Sequence, residues 1–315
     1  MAKILVTGGA GFIGSHLCDH LVGAGHQVIV LDDLSSGKLR NIRQLQGKVR
    51  FIHDSVLNLP AYADVLAGVT RVYHLAGLIS GYDSLRNPDE YLDVNLRGLL
   101  RVIELSKSAS DIRIIFASSS TVYGNQLGAS CCESDYPAPM TVYALSKCVG
   151  EHLLDMYSSM YGFSYVCLRL FNVYGSRQSL DHPYANVTCK FSAAAACGAP
   201  ILLYGDGEQS RDFVFVDDVV RAFLLVADVS AERIYNVGTG ADTKINELVT
   251  ALESLAGSHL AVTKMPAWPN DIRNIRADVA RLQKEFGFRP SVNIREGLRR
   301  TVDWFRSEVH AVEAT

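Results

Sequence analysis

The stretch KILVTGGAGFIGSH, residues 3–16, joins a short β-branched run to a glycine-rich loop and then to a helix-like segment. Gly9, Gly11 and Gly14 fit the pattern G-x-G-x-x-G, and Gly8, Gly11 and Gly14 also fit G-x-x-G-x-x-G. Glycines in this context permit a tight turn and let the backbone approach a pyrophosphate, whose charge is met by the N–H groups and dipole at the start of the helix. The stretch therefore predicts a strand, a turn and a helix that together bind a dinucleotide.

The second strand-like run ends at an acidic residue where such a cofactor would need one. Asp32 lies 21 residues after Gly11, which is the spacing at which a carboxylate accepts hydrogen bonds from the adenosine ribose hydroxyls. Because the same carboxylate would repel a 2′-phosphate, we expect NAD rather than NADP. Asp54 and Ser55, at the end of the third strand, are placed either to hold the adenine edge or to cap the following turn.

Short β-branched runs alternate with helix-like stretches, a rhythm typical of βαβ units in a buried parallel sheet. We therefore expect an α/β fold, with a Rossmann-type doubly wound parallel sheet and a smaller, interleaved α/β substrate-binding lobe. The predicted dinucleotide-binding domain comprises residues 1–171 and about 211–238, and the lobe comprises about 172–210 and 239–315. The run RIYNVGTG, residues 233–240, is expected to return to the main sheet. The other predicted strands lie in KILVTG, QVIVLDD, VRFIHD, RVYHLAG, RIIFASSS and YVCLRLFNVYG.

Composition points to a compact protein with a small-molecule partner. The chain has 315 residues, 48% of them hydrophobic, and its 30 basic and 33 acidic residues leave a net charge of −3 without a long run of one sign. This balance predicts neither nucleic-acid nor membrane binding. The start of the chain leads directly into a strand without a signal sequence, and the seven cysteines include no C-x-x-C pair. We therefore expect a reducing, cytoplasmic location and no zinc site.

A tyrosine and a lysine lie four residues apart in the helix-like stretch TVYALSKCVGE, residues 141–151. Positions four apart share one face of a helix, so Tyr143 and Lys147 can act on the same bound molecule. Lowering the pKa of a tyrosine from about 10 to neutrality takes roughly 4 kcal/mol, of which a cation at about 6 Å supplies roughly 3 kcal/mol. A second positive charge, such as oxidised nicotinamide, would complete the shift, so the pair predicts a base beside a dinucleotide.

With the glycine loop, Asp32, SSSTVYG (118–124) and the Tyr143/Lys147 pair in this order, the sequence resembles the extended short-chain dehydrogenase/reductase family, specifically its nucleotide-sugar epimerases and dehydratases. The resemblance covers nearly the whole chain. It implies NAD as cofactor, a UDP-sugar as substrate, and a homodimer formed through two helices that flank the sheet, one of them carrying Tyr143. The further matching segments are HLAG (74–77), VNLRG (94–98), RLFNVYG (169–175) and YGDGEQSRDFVFVDDV (204–219).

The resemblance also implies roles for particular residues. Ser119 would hydrogen-bond the reacting sugar hydroxyl, Tyr143 would remove its proton, and Lys147 would bind the nicotinamide ribose while lowering the pKa of Tyr143. Asn172 and Arg211 would hold the diphosphate, Tyr204 would lie near the base, and Asp271 is a further substrate contact. Trp268 stands where the family often has an arginine, and Arg273 and Arg276 are possible substitutes for it. The implied NAD contacts are Gly8, Gly11, Phe12, Ile13, Gly14, Asp32, Asp54, Ser55, Leu75, Ala76, Asn95, Tyr143 and Lys147.

Two fates of a 4-keto sugar formed by oxidation are open. In a 4-epimerase the hydride returns to the opposite face of the sugar. In a dehydratase water is lost, which needs an acid and a base that the family's 4,6-dehydratases supply as an Asp-Glu pair directly after the catalytic threonine. Because Ser120 and Thr121 occupy those positions, we expect an epimerase of a UDP-hexose or UDP-N-acetylhexosamine. The alternative is an NAD-dependent UDP-sugar dehydratase, which removes water by 4,6-elimination or by a 5,6-elimination that keeps the 4-hydroxyl, for example from UDP-N-acetylglucosamine. In it, Cys131, Cys132 or Glu133 would supply the missing acid or base.

Overall fold

A computed structural model of the chain describes residues 1–107, 112–125, 130–180, 186–228, 233–267 and 272–313. The chain divides into two compact units. The first unit comprises Met1–Gly124, Tyr136–Leu170 and Val220–Asn236, and the second comprises Asn125–Asp135, Phe171–Val219 and Val237–Thr315. Within the described ranges, no helix is long and apolar enough to cross a membrane.

The strands are short, and the longest of them, β5 and β6, have seven residues each. Their bounds are β1 (Lys3–Thr7), β2 (Gln27–Asp32), β3 (Val49–His53), β4 (Arg71–His74), β5 (Arg113–Ser119), β6 (Ser164–Leu170), β7 (Asn172–Tyr174), β8 (Ile201–Tyr204), β9 (Ser210–Arg211), β10 (Phe213–Phe215), β11 (Arg233–Val237), β12 (Thr243–Lys244), β13 (Val262–Met265) and β14 (Asn274–Ile275).

Helices connect most of these strands. Their bounds are α1 (Phe12–Gly23), α2 (Ala63–Leu66), α3 (Gly81–Arg86), α4 (Pro88–Leu92), α5 (Gly98–Ser106), α6 (Val142–Tyr161), α7 (Val187–Cys197), α8 (Val216–Leu225), α9 (Ile245–Ala256), α10 (Ala280–Phe286) and α11 (Ile294–Glu313). A π-helical turn, Asp93–Arg97, joins α4 to α5, and a 3₁₀ turn, Ser120–Tyr123, follows β5 directly.

One large sheet organises the first unit, in the strand order β3-β2-β1-β4-β5-β6-β11. The pairings from β3 through to β6 are parallel, and the chain reverses its direction of travel across the sheet between β1 and β4. Such a reversal defines a topological switch point, where ligands bind at the carboxyl ends of the strands. The predicted Rossmann-type α/β fold is therefore confirmed, and the run 233–237 returns to this sheet as expected.

The central strand β5 shows why the sheet is parallel and buried. All seven of its residues, RIIFASS, are buried, because helices cover both faces of such a sheet and its central strands lack an alternating polar face. Phe116 of β5 packs in one core cluster with Leu5 of β1 and Leu154 of α6. The same strand ends in serines, so its carboxyl end carries polar groups into the predicted site.

Helix α6 is well defined at both ends. The Thr141 side chain accepts a hydrogen bond from Ala144 N at its start, and Gly162 adopts the left-handed conformation at its end, with φ of 76°. These are the residue types that helix ends prefer. The buried face of α6 is unusual because it includes Lys147 and Glu151 among its core-facing residues. Charged residues are rarely buried without a partner, so this face indicates a functional or paired role.

The second unit contains several small sheets. β7 pairs with β10 in parallel, β9 lies between β12 and β14, and β8 pairs with β13. Asp212, between β9 and β10, is fully buried and accepts hydrogen bonds from Thr239, Gly240 and Ala277. This one carboxylate therefore holds three separated backbone segments of the unit together.

Candidate active site

The glycine loop has the geometry that close approach of a diphosphate requires. Gly8 has φ of +71°, and a Cβ at this position would lie 2.7 Å from Ala76 N. A Cβ on Gly14 would lie 2.2 Å from Gly8 O. Gly11 is the N-cap of α1 and has no side chain, so the first-turn N–H groups remain available to an anionic ligand. Phe12 and Ile13 form the first residues of that helix.

Asp32 lies at the end of β2 and is joined to the glycine loop. Its Oδ2 accepts a hydrogen bond from Ala10 N and its Oδ1 accepts one from Leu34 N, each at 2.9 Å. Burial raises the pKa of Asp32, and the hydrogen bonds from Leu34 and Ala10 act against this shift. Each carboxylate oxygen can accept more than one bond, so both retain capacity for ribose hydroxyls. A Cβ on Gly37 would lie 2.5 Å from Asp32 Oδ1, so glycine keeps this side of the carboxylate open.

Asp54 and Ser55 bond mainly within their own turn. The Asp54 carboxylate accepts hydrogen bonds from Tyr62 Oη at 2.6 Å and Asn58 Nδ2 at 2.9 Å, which lower its pKa. Ser55 Oγ accepts a bond from Leu57 N and caps the following 3₁₀ turn. The capping alternative thus describes these side chains, and a contact with adenine stays a prediction.

The segment after β4 is held against the loop by Thr7 and Asn95. Leu75 N donates to Thr7 O, and Ala76 N donates to Thr7 Oγ1 at 3.3 Å. Asn95, in the π-helical turn, accepts a bond from Leu78 N and donates to Leu78 O and to Ser146 Oγ on α6. Single π-helical turns frequently occur at functional sites. Here the turn links the chain after β4 to the helix that carries Tyr143.

Ser119, Tyr143 and Lys147 are brought together at the carboxyl end of β5. All three are buried, and the Ser119 hydroxyl hydrogen-bonds the Tyr143 phenol. Ser119 Oγ also accepts a bond from Thr121 Oγ1 at 3.0 Å. Lys147 Nζ donates to Ala117 O at 2.9 Å and lies 6.0 Å from the centroid of the Tyr143 ring. The helical spacing seen in the sequence thus places the phenol, the ammonium and the hydroxyl in one site.

The residues of this site do not lower the pKa of Tyr143 by themselves. Burial raises the pKa of the phenol, and the hydrogen bond with Ser119 only acts against that shift. Burial also lowers the pKa of Lys147 to about 8, with Cys167 and Glu151 acting in the opposite direction. A base at Tyr143 therefore needs a further positive charge beside it. Oxidised NAD supplies such a charge, so the site fits the cofactor that the glycine loop and Asp32 also fit.

Sequence reasoning missed a buried network behind Lys147. Arg169 of β6 donates two hydrogen bonds to Glu151, at 3.0 and 2.7 Å, and the Ser118 hydroxyl donates a third. Ser118 and Arg169 are neighbours across the β5–β6 pairing. Tyr123 lies under the Arg169 guanidinium and donates to Asn236 on β11. Glu151 follows Lys147 by four residues, and this helical spacing is the one signal in the sequence that could have linked the two.

The substrate residues that the sequence predicts lie in the second unit. Asn172 N donates to Asp212 O at 3.0 Å, which places Asn172 next to the segment of Arg211. Arg211 Nη1 donates to Ser210 O, and Tyr204 O accepts a bond from Gln209 at the turn between β8 and β9. Asp271 and Trp268 lie outside the described residues. Of the two substitute arginines, Arg273 forms two bonds with Asp206, and Arg276 lies 3.6 Å from Asp242.

Cys131, Cys132 and Glu133 also belong to the second unit. Cys131 is buried and forms an isolated β-bridge with Ala277. Cys132 is partly exposed, and its Sγ lies 4.0 Å from Glu133 Oε2. Glu133 is buried and lies 3.8 Å from Arg281. Each of the three is thus engaged in local structure, and an acid or base role for them stays a prediction.

The fold and the site together define the class of NAD-linked enzymes of the short-chain dehydrogenase/reductase type. The defining features are a Rossmann sheet with a glycine loop, an acidic residue at the end of β2, and a serine, a tyrosine and a lysine at the end of β5.

Comparison with known proteins gives the family. The family model described as "NAD dependent epimerase/dehydratase family" matches residues 4–238. UDP-glucose 4-epimerase from Mycolicibacterium smegmatis is 35% identical, over 97% of this chain and 99% of its own length. The chain therefore belongs to the NAD-dependent epimerase/dehydratase family, and the predicted family and cofactor are confirmed.

Two solved structures share the fold over nearly the full length. One is UDP-N-acetylglucosamine 4-epimerase from Methanobrevibacter ruminantium in complex with UDP-N-acetylmuramic acid, with a TM-score of 0.92, 35% identity, and coverage of 98% of this chain and 99% of that one. The other is UDP-glucose 4-epimerase from Thermus thermophilus in complex with NAD, with a TM-score of 0.89, 36% identity, and coverage of 96% of this chain and 99% of that one.

Proposed function

We propose that the protein is an NAD-dependent 4-epimerase of a UDP-hexose or UDP-N-acetylhexosamine. The observation that carries this proposal is the buried set of Ser119, Tyr143 and Lys147. Ser119 is followed directly by Ser120 and Thr121, where an acid pair would be needed for loss of water. The side chains of Ser119, Tyr143 and Lys147 supply the hydrogen bond, the base and the positive charge that oxidation and reduction of one sugar carbon by NAD require. The set lacks the adjacent acid and base for loss of water. The named activities of the relatives support the same choice.

Each residue of the set has a distinct role. The Ser119 hydroxyl holds the 4-hydroxyl of the sugar, Tyr143 takes its proton, and Lys147 binds the nicotinamide ribose and contributes positive charge near the phenol. NAD held by the glycine loop, Asp32 and Lys147 would supply the acceptor for a hydride from C4 of the sugar and the donor that returns it. The 4-keto sugar rotates in the site between the two hydride transfers, so that the returning hydride reaches the opposite face of C4. Tyr143 then gives its proton back to the 4-oxygen.

Cofactor and substrate divide between two parts of the chain. The NAD-binding residues proposed from the sequence, from Gly8 to Asn95, lie on the first unit, and the proposed domain of residues 1–171 with 211–238 carries them. The lobe of about residues 172–210 with 239–315 binds the nucleotide sugar, together with Arg211 at its boundary with the NAD-binding domain. Asn172 and Arg211 hold the diphosphate, and Tyr204 and Asp271 are further contacts. The position of Arg211 beside the Asn172 segment supports this assignment.

The quaternary structure and the location are further proposals. Helix α6 exposes Leu145, Met156 and Met160, with 44%, 48% and 64% of their surfaces accessible. Such an apolar face supports a homodimer formed through this helix, which light scattering on the purified protein tests. Seven free thiols on one chain support a reducing, cytoplasmic location.

Product analysis tests the proposed reaction. The protein and NAD are incubated separately with UDP-glucose and UDP-N-acetylglucosamine, and the products are examined by proton NMR and mass spectrometry. An unchanged mass with signals of the C4 epimer supports the epimerase. A product lighter by one water overturns it in favour of a dehydratase, and steady accumulation of reduced nicotinamide overturns it in favour of a net oxidoreductase. Tyr143→Phe is the control that identifies turnover by this site.

A further inference from the structure

The Lys147 ammonium lies in a place from which water is largely excluded. The residue is 4% exposed, and one of its three N–H donors goes to Ala117 O at 2.9 Å. Burying a cation is unfavourable unless its surroundings compensate for the lost water. Some group near Nζ must therefore present negative electrostatic potential to it.

The titratable groups around Lys147 offset its burial only in part, because Cys167 and Glu151 raise its pKa and yet the pKa lies at about 8. Glu151 is fully engaged by Arg169 and Ser118. Burial raises the pKa of Cys167 and of Tyr143, so both stay protonated at neutral pH. Burial and the charge of Lys147 lower the pKa of His74 to about 3, so this imidazole is neutral. The titratable and charged groups near the ammonium lie on three elements: Tyr143 and Glu151 on α6, His74 on β4, and Cys167 and Arg169 on β6. Tyr91 on α4 acts on the pKa of Tyr143.

An aromatic ring face fills this role. Lys147 Nζ lies 4.8 Å from the centroid of the Phe116 ring, closer than to the ring of Tyr143. An ammonium at this distance from a ring face is attracted by the ring's quadrupole, most strongly where water is excluded. Phe116 is itself 2% exposed.

The Phe116 ring is fixed in place by its neighbours. The neutral His74 ring stacks on it, with centroids 5.8 Å apart and planes at 19°. Thr7 holds His74 through a 2.8 Å hydrogen bond to Nδ1. A Cβ on Gly150 would lie 3.0 Å from Phe116 Cζ, so the glycine in α6 lets the helix approach the ring closely. Strands β1, β4 and β5 and helix α6 thus all contribute to the position of one ring.

We propose that Phe116 is a positioning residue of the active site, whose ring face holds the Lys147 ammonium in its charged form beside Tyr143. This role rests on the function proposed above for Lys147. Phe116 would thus act on the site through Lys147, although it is an apolar core residue that takes no part in the reaction itself.

The direct test is the titration of Lys147, which needs no turnover. The full chain contains nine lysines. Labelling them with ¹³C at Cε and comparing with Lys147→Met assigns the Lys147 signal, whose shift is then followed against pH. Replacing the ring by Phe116→Leu should lower the Lys147 pKa by about one to one and a half units. Site-specific 3,5-difluorophenylalanine at position 116 keeps the ring but weakens its quadrupole. This variant should therefore also lower the pKa of Lys147.

Controls separate this role from packing. Phe163→Leu truncates another buried phenylalanine of the same core cluster, and it should leave the Lys147 titration unchanged. The difluoro variant carries the test if Phe116→Leu fails to fold. An unchanged or raised Lys147 pKa in the difluoro variant overturns the proposal. Because the titration is read without substrate, loss of the proposed epimerase activity would be recognised separately, in the product analysis.

Discussion

The buried pair of Glu151 and Arg169 leads to a quantitative prediction about stability. Their side chains are 2% and 3% exposed, and they share two hydrogen bonds, with Ser118 donating a third to Glu151. Burial lowers the pKa of Arg169, but the bonds and charge of Glu151 raise it more, so the pKa lies above its ordinary value. Each charge therefore depends on the other for compensation.

Removing one partner leaves an uncompensated buried charge. Arg169→Met leaves the Glu151 carboxylate with the Ser118 hydroxyl as its remaining partner from this network, and Glu151→Leu leaves the guanidinium over the Tyr123 ring. We expect each single change to lower the free energy of unfolding by about 3–5 kcal/mol. The double variant buries no unpaired charge, so it should lose much less than the sum, with a coupling of roughly 2 kcal/mol or more.

Urea unfolding of the four proteins, followed by far-UV circular dichroism, completes the cycle. Glu104→Gln is a matched control in the same unit, because its pair with Arg101 on α5 is 41% exposed on each side. An exposed helical pair is worth about 0.3–0.5 kcal/mol. Additive single effects, or losses as small as that of the control, would refute the conclusion that the buried pair ties α6 to β5 and β6.

Three further outcomes follow from the site. Gly14→Ala should abolish NAD binding measured by calorimetry, because its Cβ would lie 2.2 Å from Gly8 O, whereas Gly23→Ala, with nothing within 4 Å of its Cβ, should bind NAD normally. Tyr143→Phe should lower kcat by about 10²- to 10⁴-fold while NAD binding persists; retention of most of the activity would exclude the phenol as the base. Burial lowers the pKa of Lys147 to about 8 in the folded protein, against 10.5 for the free side chain. Between pH 8 and 10.5, Lys147 is therefore protonated in the unfolded chain but largely neutral in the folded protein. Wild-type stability should therefore rise relative to Lys147→Met as pH increases from 8 to 10.5, and a constant difference would contradict the burial of a charged lysine.

Much of the cofactor site could be predicted from sequence because its requirements are local. The glycines at positions 8, 11 and 14 serve a turn of seven residues, and Asp32 ends the next strand along the chain. Tyr143 and Lys147 share a helical face by spacing alone. The roles of Asp54 and Ser55 were harder to predict, because the same residue types serve as caps and as ligands.

The parts that sequence reasoning missed depend on residues far apart in the chain. Ser118 and Arg169 become neighbours only through the register of β5 and β6. His74 meets Phe116 only because β4 and β5 pair in parallel. No periodic pattern in the sequence predicts either contact, because a buried strand is a continuous apolar run whichever of its residues faces the site.

The sequence by itself determined the α/β fold, the glycine turn, the acid at the end of β2 and the joint presence of a phenol and an ammonium on one helical face. Tertiary structure alone decided how deeply that ammonium is buried, which carboxylate and arginine lie behind it, and which ring faces it. The physical reason is the range of the interactions. Turn and helix geometry act over a few residues, whereas burial and charge compensation are set by strands and helices that meet only after the sheet has formed.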